Sequence, residues 1–297
     1  MPAESKLFTL TLSALFILSV LWANHPVRAA DDQPTTRVVS LVPNLTEIAF
    51  AIGAGDRIVG VSDYCIYPPE AKTRPSVGGL INPSLEGVLK LRPDVVLLYR
   101  SQTDFASRLK TLNVRTALFQ VDTLDDLYAA VGRVGSITGE TTGAERLARQ
   151  LQAGLNSVKE TATGLKAARG IIIVSRDPSG LKSLYQASDQ HFLGQLFRLA
   201  GGTLAIPGGA AITREDIIRA NPEIIIDLSS SAISNGSAST ADTPPAREVG
   251  PWSALVTVAA VKDNAVYQWN NPHATLLGPS ILKTADTFRE ILGQLED

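Results

Sequence analysis

Aromatic side chains recur where a predicted buried strand gives way to a loop. In open α/β sheets, ligands bind beyond the carboxyl ends of the strands. An aromatic ring there offers apolar area, and a tyrosine adds a polar tip, which suits a bulky, planar or amphipathic small molecule. The candidate ligand contacts of this kind are Tyr64, Tyr99, Tyr185 and Trp269.

Residues that could carry catalysis or hold a resident metal ion are sparse. After residue 29 the chain has two histidines, His191 and His273, and one cysteine, Cys65. A zinc site needs three or four ligands at characteristic spacing. The serine-hydrolase elbow, the phosphate loop and the Rossmann glycine fingerprint are all missing from the sequence. We therefore predict a protein that is not an enzyme and has neither a cofactor nor a metal site of its own.

A loop histidine has two interpretations in such a chain. Its imidazole can coordinate the iron or cobalt of a bound chelate, or it can simply form a hydrogen bond. We include His273, which lies in a proline-containing loop near the C-terminus, among the predicted ligand contacts.

Composition excludes several classes of protein. The 297 residues are 44% hydrophobic and carry a formal net charge of -2. An acidic chain without a basic cluster is not expected to bind nucleic acid. The apolar content argues against general disorder, and a single cysteine excludes an intramolecular disulfide framework.

The first 29 residues have the pattern of a secretion signal. Lys6 precedes an apolar run from Leu7 to Trp22, and small residues end at Ala29, after which we expect cleavage. The run is shorter than the roughly 20 residues that span a bilayer. No cysteine lies near the cleavage position, so we expect a soluble protein, exported through the Sec route, without a lipid anchor.

Beyond the signal, short apolar runs alternate with helical patterns, which predicts an α/β fold with mainly parallel sheets. One helix is expected to start at Thr46 as its N-cap. The predicted strands lie near residues 38–42, 94–99, 117–121, 170–175 and 223–228.

The two halves of the chain share a short pattern. Ser84-Leu85-Glu86 precedes Pro93 and an apolar run, and Thr213-Arg214-Glu215 precedes Pro222 and another. Glutamate and proline are seven residues apart in both copies. Each copy reads as a capped short helix followed by a buried strand, which indicates duplication and two similar lobes.

A long helical pattern separates these halves and starts at Thr141, with leucines and a valine along one stripe. We interpret it as a rigid linker rather than as an ordinary crossover helix within one sheet. The predicted organisation is a signal peptide (1–29), an N-terminal lobe (30–140), a linker helix (141–167) and a C-terminal lobe (168–297).

Short sequence stretches over nearly the whole exported chain resemble the periplasmic substrate-binding proteins of iron-siderophore and vitamin B12 ABC importers. The stretches are 37–47 (RVVSLVPNLTE), 59–64 (VGVSDY), 67–69 (YPP), 84–86 (SLE), 91–96 (LRPDVV), 192–194 (FLG), 200–202 (AGG), 214–215 (RE) and 221–222 (NP).

This resemblance implies two α/β lobes joined by one long helix, with the ligand held between them. It also implies that Glu86 and Glu215 engage basic residues of the transmembrane permease. The rival interpretation is that a glutamate at a helix start is favoured by the helix dipole alone.

Similarity is greatest to the members that bind vitamin B12, whose cleft aromatics match Tyr64, Tyr99 and Tyr185. The chain departs from them at 77–79, where Val-Gly-Gly replaces a tryptophan-containing stretch, and at 278–281, which lacks a common arginine. The missing arginine favours a neutral ligand, so we expect cobalamin or a related corrinoid as cargo.

Other interpretations stay open at this point. A ferric siderophore or heme is the alternative cargo, a secreted α/β hydrolase is the alternative from another class, and a chelate sensor that contacts a receptor is a third. We expect a monomer whose partners are the permease and the small molecule. The Ser- and Ala-rich stretch from Ser229 to Pro245 is expected to be a passive flexible loop.

Overall fold

We analysed the protein as a computed structural model, which describes residues 36–229 and 244–295. The predicted secretion signal and nearly all of the predicted flexible loop lie outside these residues. Within them, no helix combines the length and the apolar character needed to cross a bilayer.

The first sheet has four parallel strands in the order β2-β1-β3-β4. Its strands are short and apolar, and the core residues of β1 and β3 are fully buried because helices cover both faces. The strands are β1 (Val38–Ser40), β2 (Ile58–Val61), β3 (Val95–Tyr99) and β4 (Arg115–Phe119).

The second sheet is mixed, with the order β10-β11-β9-β5-β6-β8, and β7 pairs with β5. Its centre, β11-β9-β5, is parallel, while β6, β8 and β10 pair in the antiparallel sense. The strands are β5 (Arg169–Ser175), β6 (Leu184–Gln186), β7 (Thr203–Leu204), β8 (Ala211–Ile212), β9 (Ile224–Asp227), β10 (Ala246–Arg247) and β11 (Val266–Gln268).

Helices connect the strands and cover the sheets. The α-helices are α1 (Pro43–Ala51), α2 (Leu85–Lys90), α3 (Thr103–Thr111), α4 (Leu124–Thr138), α5 (Thr141–Thr161), α6 (Phe192–Leu199), α7 (Arg214–Ala220), α8 (Ala259–Lys262) and α9 (Ile281–Gly293). Short 3-10 turns span Gly55–Arg57, Pro69–Thr73, Gly250–Ala254 and Pro272–Thr275.

The start of α1 differs from the prediction. The helix begins at Pro43, because proline fits the first helical position, where its missing N–H needs no partner. Thr46 therefore lies inside the first turn. Its hydroxyl donates to the carbonyl of Val42 at 3.1 Å and to Ser40 Oγ at 2.8 Å instead of capping the helix.

Helix α5 joins the two sheets, and its leucine stripe explains how. Leu147, Leu151 and Leu155 are buried on one side of the helix. The helix packs against α4 of the first half and against α6 and α9 of the second. One amphipathic helix thus contributes to the core of both halves, and the predicted class of two α/β lobes joined by a long helix is confirmed.

Candidate functional site

The carboxyl ends of the strands in the two sheets face each other. Asn44, in the first turn of the helix that follows β1, donates its side-chain amide to the carbonyl of Leu277 at 3.2 Å, in the segment that follows β11. The backbone N–H of Phe192 donates to the carbonyl of Asp122, which follows β4, at 2.9 Å. Loops of one lobe therefore meet loops of the other along a seam, which is where an α/β fold binds ligands.

Tyr99 lies at this seam as the last residue of β3. Its hydroxyl donates to Asn44 Oδ1 at 3.3 Å, so the ring is connected to the interlobe contact. Burial, with smaller contributions from Cys65 and Asp122, raises the pKa of Tyr99 to about 12, which keeps the hydroxyl protonated. A cavity of about 520 Å³ lies at the ends of β3 and β4; it is lined by Tyr99, Arg100, Ser101, Phe119, Gln120, Val121 and Asp122.

Tyr64 is half-buried in the loop after β2. Gly79, in the stretch 77–79 where the resemblance leads us to expect a tryptophan, lies beside this ring. A Cβ on Gly79 would stand 3.8 Å from Tyr64 Cε2. The N–H of Asp63 donates to the carbonyl of Gly78 at 2.9 Å and holds the two loops together. Gly79 thus places only backbone atoms, and no side chain, next to the tyrosine ring.

Tyr185 belongs to the second lobe and is 48% exposed. It lies on β6, opposite Ser175 at the carboxyl end of β5 and opposite Ala211 of β8. The antiparallel pairing brings this tyrosine to the same edge of the second sheet that faces the seam.

Trp269 occupies a different environment from the tyrosines. It is 2% exposed and packs its ring edge-on against Phe288 of α9, with 6.0 Å between ring centroids. An indole this deeply packed forms part of the hydrophobic core. The ring also lines a small cavity together with Tyr67 and His273, and the ligand contact at Trp269 stays a prediction.

His273 packs against Tyr67, with 4.6 Å between the ring centroids, so the imidazole of the second lobe meets the proline-marked loop of the first. Its Nδ1 is buried and has no hydrogen-bond partner among the described residues. Burial, followed by the charge of Lys72, lowers the pKa of His273, so its neutral form is favoured. His191, in contrast, caps α6 by accepting from the N–H of Leu193 at 3.3 Å.

A buried ion pair, not anticipated from the sequence, stands at the carboxyl edge of the second sheet. Arg176, directly after β5, donates its Nε to Asp227 Oδ2, the last residue of β9, at 2.8 Å. Trp252 Nε1 also donates to Asp227 Oδ2 at 2.9 Å, and the N–H of Ser229 donates to Oδ1 at 2.9 Å. Burial would raise the pKa of Asp227, but these hydrogen bonds outweigh it and hold the pKa below its usual range.

The sequence feature that could have predicted this pair is a charged residue at the end of an apolar run. Arg176 follows the Ile-rich run of β5, and Asp227 ends the Ile-rich run of β9. Because β5 and β9 are neighbours, the two charges meet only when the sheet forms.

The duplicated pattern has the same geometry in both lobes. Ser84 and Thr213 each cap a helix by accepting from the N–H three residues on, at 3.0 and 3.1 Å. Both helices are followed by a residue with positive φ before the proline, 47° at Arg92 and 44° at Asn221. Glu86, on the first helix, is exposed at α2 and forms an ion pair with Lys90 at 3.8 Å.

The repeat extends to the start of each lobe. The N–H of Arg37 donates to Asp94 Oδ2 at 2.6 Å, and the N–H of Arg169 donates to Glu223 Oε2 at 2.8 Å. Both acceptors directly follow the repeated proline. Glu86 and Glu215, which is also exposed, thus occupy equivalent positions on equivalent helices.

In the part of the chain that the structure describes, no group of His, Cys, Asp and Glu side chains is arranged to hold a metal ion. The carboxyl ends of the strands carry aromatic, amide and guanidinium groups, such as those of Tyr99, Asn44 and Arg176. Such groups suit the recognition of a small molecule.

Comparison with known proteins gives a consistent assignment. A family described as "Periplasmic binding protein" matches residues 38–271. The ABC transporter substrate-binding lipoprotein YvrC of Bacillus subtilis is 26% identical over 265 residues, covering 86% of this chain and 79% of that protein. The vitamin B12-binding protein of Pectobacterium carotovorum is 28% identical over 196 residues, covering 64% of this chain and 70% of that protein.

Solved structures share the fold. The periplasmic vitamin B12 binding protein BtuF of Vibrio cholerae superposes with a TM-score of 0.70 at 20% identity, over 89% of this chain and 99% of that one. The heme-binding protein BhuT, in complex with two hemes, gives 0.70 at 20% identity, over 87% and 98%. By the match over most of its length and by its two-lobed fold, the chain belongs to the periplasmic binding protein family.

Proposed function

We propose that this protein captures cobalamin or a related corrinoid between its lobes and delivers it to the permease of an ABC importer. The observation that carries the proposal is the seam. There the carboxyl ends of both sheets face each other, the Tyr99 hydroxyl bonds to the interlobe residue Asn44, and Tyr185 lies at the carboxyl edge of the second sheet. We assign Tyr99, Tyr64 and Tyr185 to the cargo.

The chemistry of these tyrosines suits a corrinoid. A corrin ring carries amide arms, and a tyrosine can stack on the ring and hydrogen-bond to an amide. Tyr99 is protonated at all ordinary pH values because its pKa is about 12, so it can donate such a bond. Gly79, which has no side chain, lies beside Tyr64 and suits a wide ligand.

Relatives support this class of cargo. The Pectobacterium relative is named a vitamin B12-binding protein, and so is a Vibrio vulnificus protein that is 25% identical over 96% of this chain. Heme-binding neighbours such as BhuT share the fold, so heme and ferric siderophores form the second candidate class.

Arg176 is the observation that favours this second class. Its guanidinium is oriented by Asp227 and by the carbonyl of Asp177. A pre-oriented guanidinium at the seam could bind a carboxylate of heme or of a siderophore. The partnerless Nδ1 of His273 could serve the same ligands by coordinating their iron.

We further propose that Glu86 and Glu215 bind arginines on the two halves of the permease and so orient the lobes on it. Their equivalent positions on two capped, exposed helices support this role. The mechanism is binding and release without a covalent step, by a monomer that is exported after cleavage behind Ala29.

Isothermal titration of the purified exported chain tests the cargo. The panel comprises cyanocobalamin, dicyanocobinamide, heme and ferric siderophores. We expect saturable one-to-one binding of a corrinoid. Binding of heme or a siderophore alone would replace the corrinoid with the second class, and no binding across the panel would contradict both.

A further inference from the structure

Two exposed apolar side chains occupy the same position in the two copies of the repeat. Leu89 follows Glu86 by three residues and Ile218 follows Glu215 by three. Leu89 is 37% and Ile218 46% exposed, and both are among the large hydrophobic side chains that the described surface leaves open. Residues three apart on a helix are neighbours on its surface, so each glutamate has an apolar side chain beside it.

The core does not require these two side chains. The preceding residues, Val88 and Ile217, are fully buried and supply the apolar contact of each short helix with its lobe. A polar residue at the next position would leave that contact unchanged. A single exposed hydrophobic side chain is common on protein surfaces. Exposure of a large one at the same place in both lobes, where folding does not need it, points to a contact with another molecule.

The loop in front of α2 adds a third apolar side chain to the first lobe. Ile81 is 87% exposed, three residues before the cap residue Ser84. The loop is held in place, since the side-chain amide of Gln102 donates to the carbonyl of Leu80 at 2.8 Å and Gly78 pairs with Pro83. Ile81 is thus presented to solvent by a fixed backbone.

We propose that Leu89 and Ile218, together with Ile81, are the apolar half of a two-point docking surface. Its partner is a protein with two equivalent sockets, each with an arginine surrounded by apolar side chains, as the two halves of a permease would provide. The inference rests on the proposed docking role of Glu86 and Glu215 and adds to it a second source of affinity.

The charged contacts and the apolar contacts of this surface respond differently to salt. Attraction between exposed glutamates and arginines is screened by salt, whereas burial of apolar area is not. In protein interfaces, water-excluded apolar contacts beside a charged pair account for much of the affinity. The charged and apolar contributions can therefore be separated by ionic strength.

The test measures binding of the full exported chain to the purified permease–ATPase complex of its importer in nanodiscs, at low salt and at high salt. The first apolar variant is Leu89→Gln with Ile218→Gln. The second is Leu89→Ala with Ile218→Ala, which removes the same side chains and keeps a high helix propensity. The matched control is Leu112→Gln with Val256→Gln, which removes exposed hydrophobic side chains (46% and 68%) that do not belong to the repeated helices. The charge variant is Glu86→Gln with Glu215→Gln.

We expect the apolar variants to weaken the complex by about 10-fold or more at both salt concentrations. The control should bind normally, and all variants should keep the melting temperature and ligand affinity of the parent. The charge variant should lose affinity mainly at low salt. Apolar variants that bind like the control would overturn the inference, even if the charge variant is defective. A charge variant with normal binding at low salt would instead overturn the docking role of the glutamates.

Discussion

Glu47 of the first lobe accepts two hydrogen bonds from Ser280 of the second. The N–H of Ser280 donates to Oε1 at 2.7 Å and its hydroxyl to Oε2 at 3.2 Å. Ser280 directly precedes α9, so a buried carboxylate of one lobe caps a helix of the other. Together with the hydrogen bond from Asn44 to Leu277, this contact links α1 of the first lobe to the segment before α9 of the second.

Burial of Glu47 predicts a dependence of stability on pH. Burial raises the pKa of Glu47 from 4.5 to about 7, against the lowering effect of the Ser280 hydrogen bonds. A raised pKa means that the folded protein holds this proton more tightly than the unfolded chain does. The resulting stabilisation is complete below pH 4.5 and is lost as pH rises through about 7.

We therefore expect the free energy of unfolding to fall by about 3 kcal/mol more in the parent protein than in Glu47→Gln between about pH 4.5 and 8. Urea unfolding followed by circular dichroism measures the difference. Parallel pH profiles for the two proteins would contradict the prediction, because glutamine does not titrate.

Gly278 makes the same contact possible. A Cβ at this position would collide with Glu47 Oε2, and it would lie 3.7 Å from the Cα of Asn44. Gly278→Ala should therefore destabilise the protein by about 1–3 kcal/mol by forcing the lobes apart. Gly180→Ala is the control, since nothing lies within 4 Å of a Cβ there. Equal melting temperatures for the two variants would show that the seam tolerates the extra methyl group.

The tyrosines predict a graded loss of ligand affinity. Tyr64→Ala and Tyr99→Ala should each weaken binding of the cargo by about 10-fold through lost stacking. Tyr99→Phe keeps the ring, loses only the hydroxyl bond to Asn44, and should weaken binding less. Titration calorimetry gives the affinities, with Tyr128→Ala on α4 as the control. Unchanged affinity in both alanine variants would place the ligand elsewhere.

The glutamates predict a defect in transport without a defect in binding. Glu86→Arg and Glu215→Arg should keep the ligand affinity and abolish uptake, because each places a cation against a basic partner. Glu145→Arg is a matched control, since Glu145 forms an i,i+4 pair with Arg149 at 3.8 Å, as Glu86 does with Lys90. Uptake of labelled ligand into cells is the measurement. Normal uptake by both docking variants would remove the role assigned to them.

Much of the architecture was predictable because it depends on local patterns. The leucine stripe of α5 predicts a helix with one buried face, and the spacing between Glu86 and Pro93, repeated between Glu215 and Pro222, predicts two similar lobes. Both signals depend on residues that are close together in the sequence. Aromatic residues after apolar runs likewise identify a binding edge, since strand ends are local features.

The rest depends on which distant residues meet. Trp269 has the same sequence context as Tyr99, at the end of an apolar run, yet it packs on Phe288 while Tyr99 reaches the seam. The Arg176–Asp227 pair exists only because β5 and β9 are neighbours. The sequence by itself determined the α/β class and the duplication, and it predicts that a ligand binds at the carboxyl edge of the sheets. Only the tertiary structure decided which side chains face that edge, because burial depends on contacts between residues far apart in the chain.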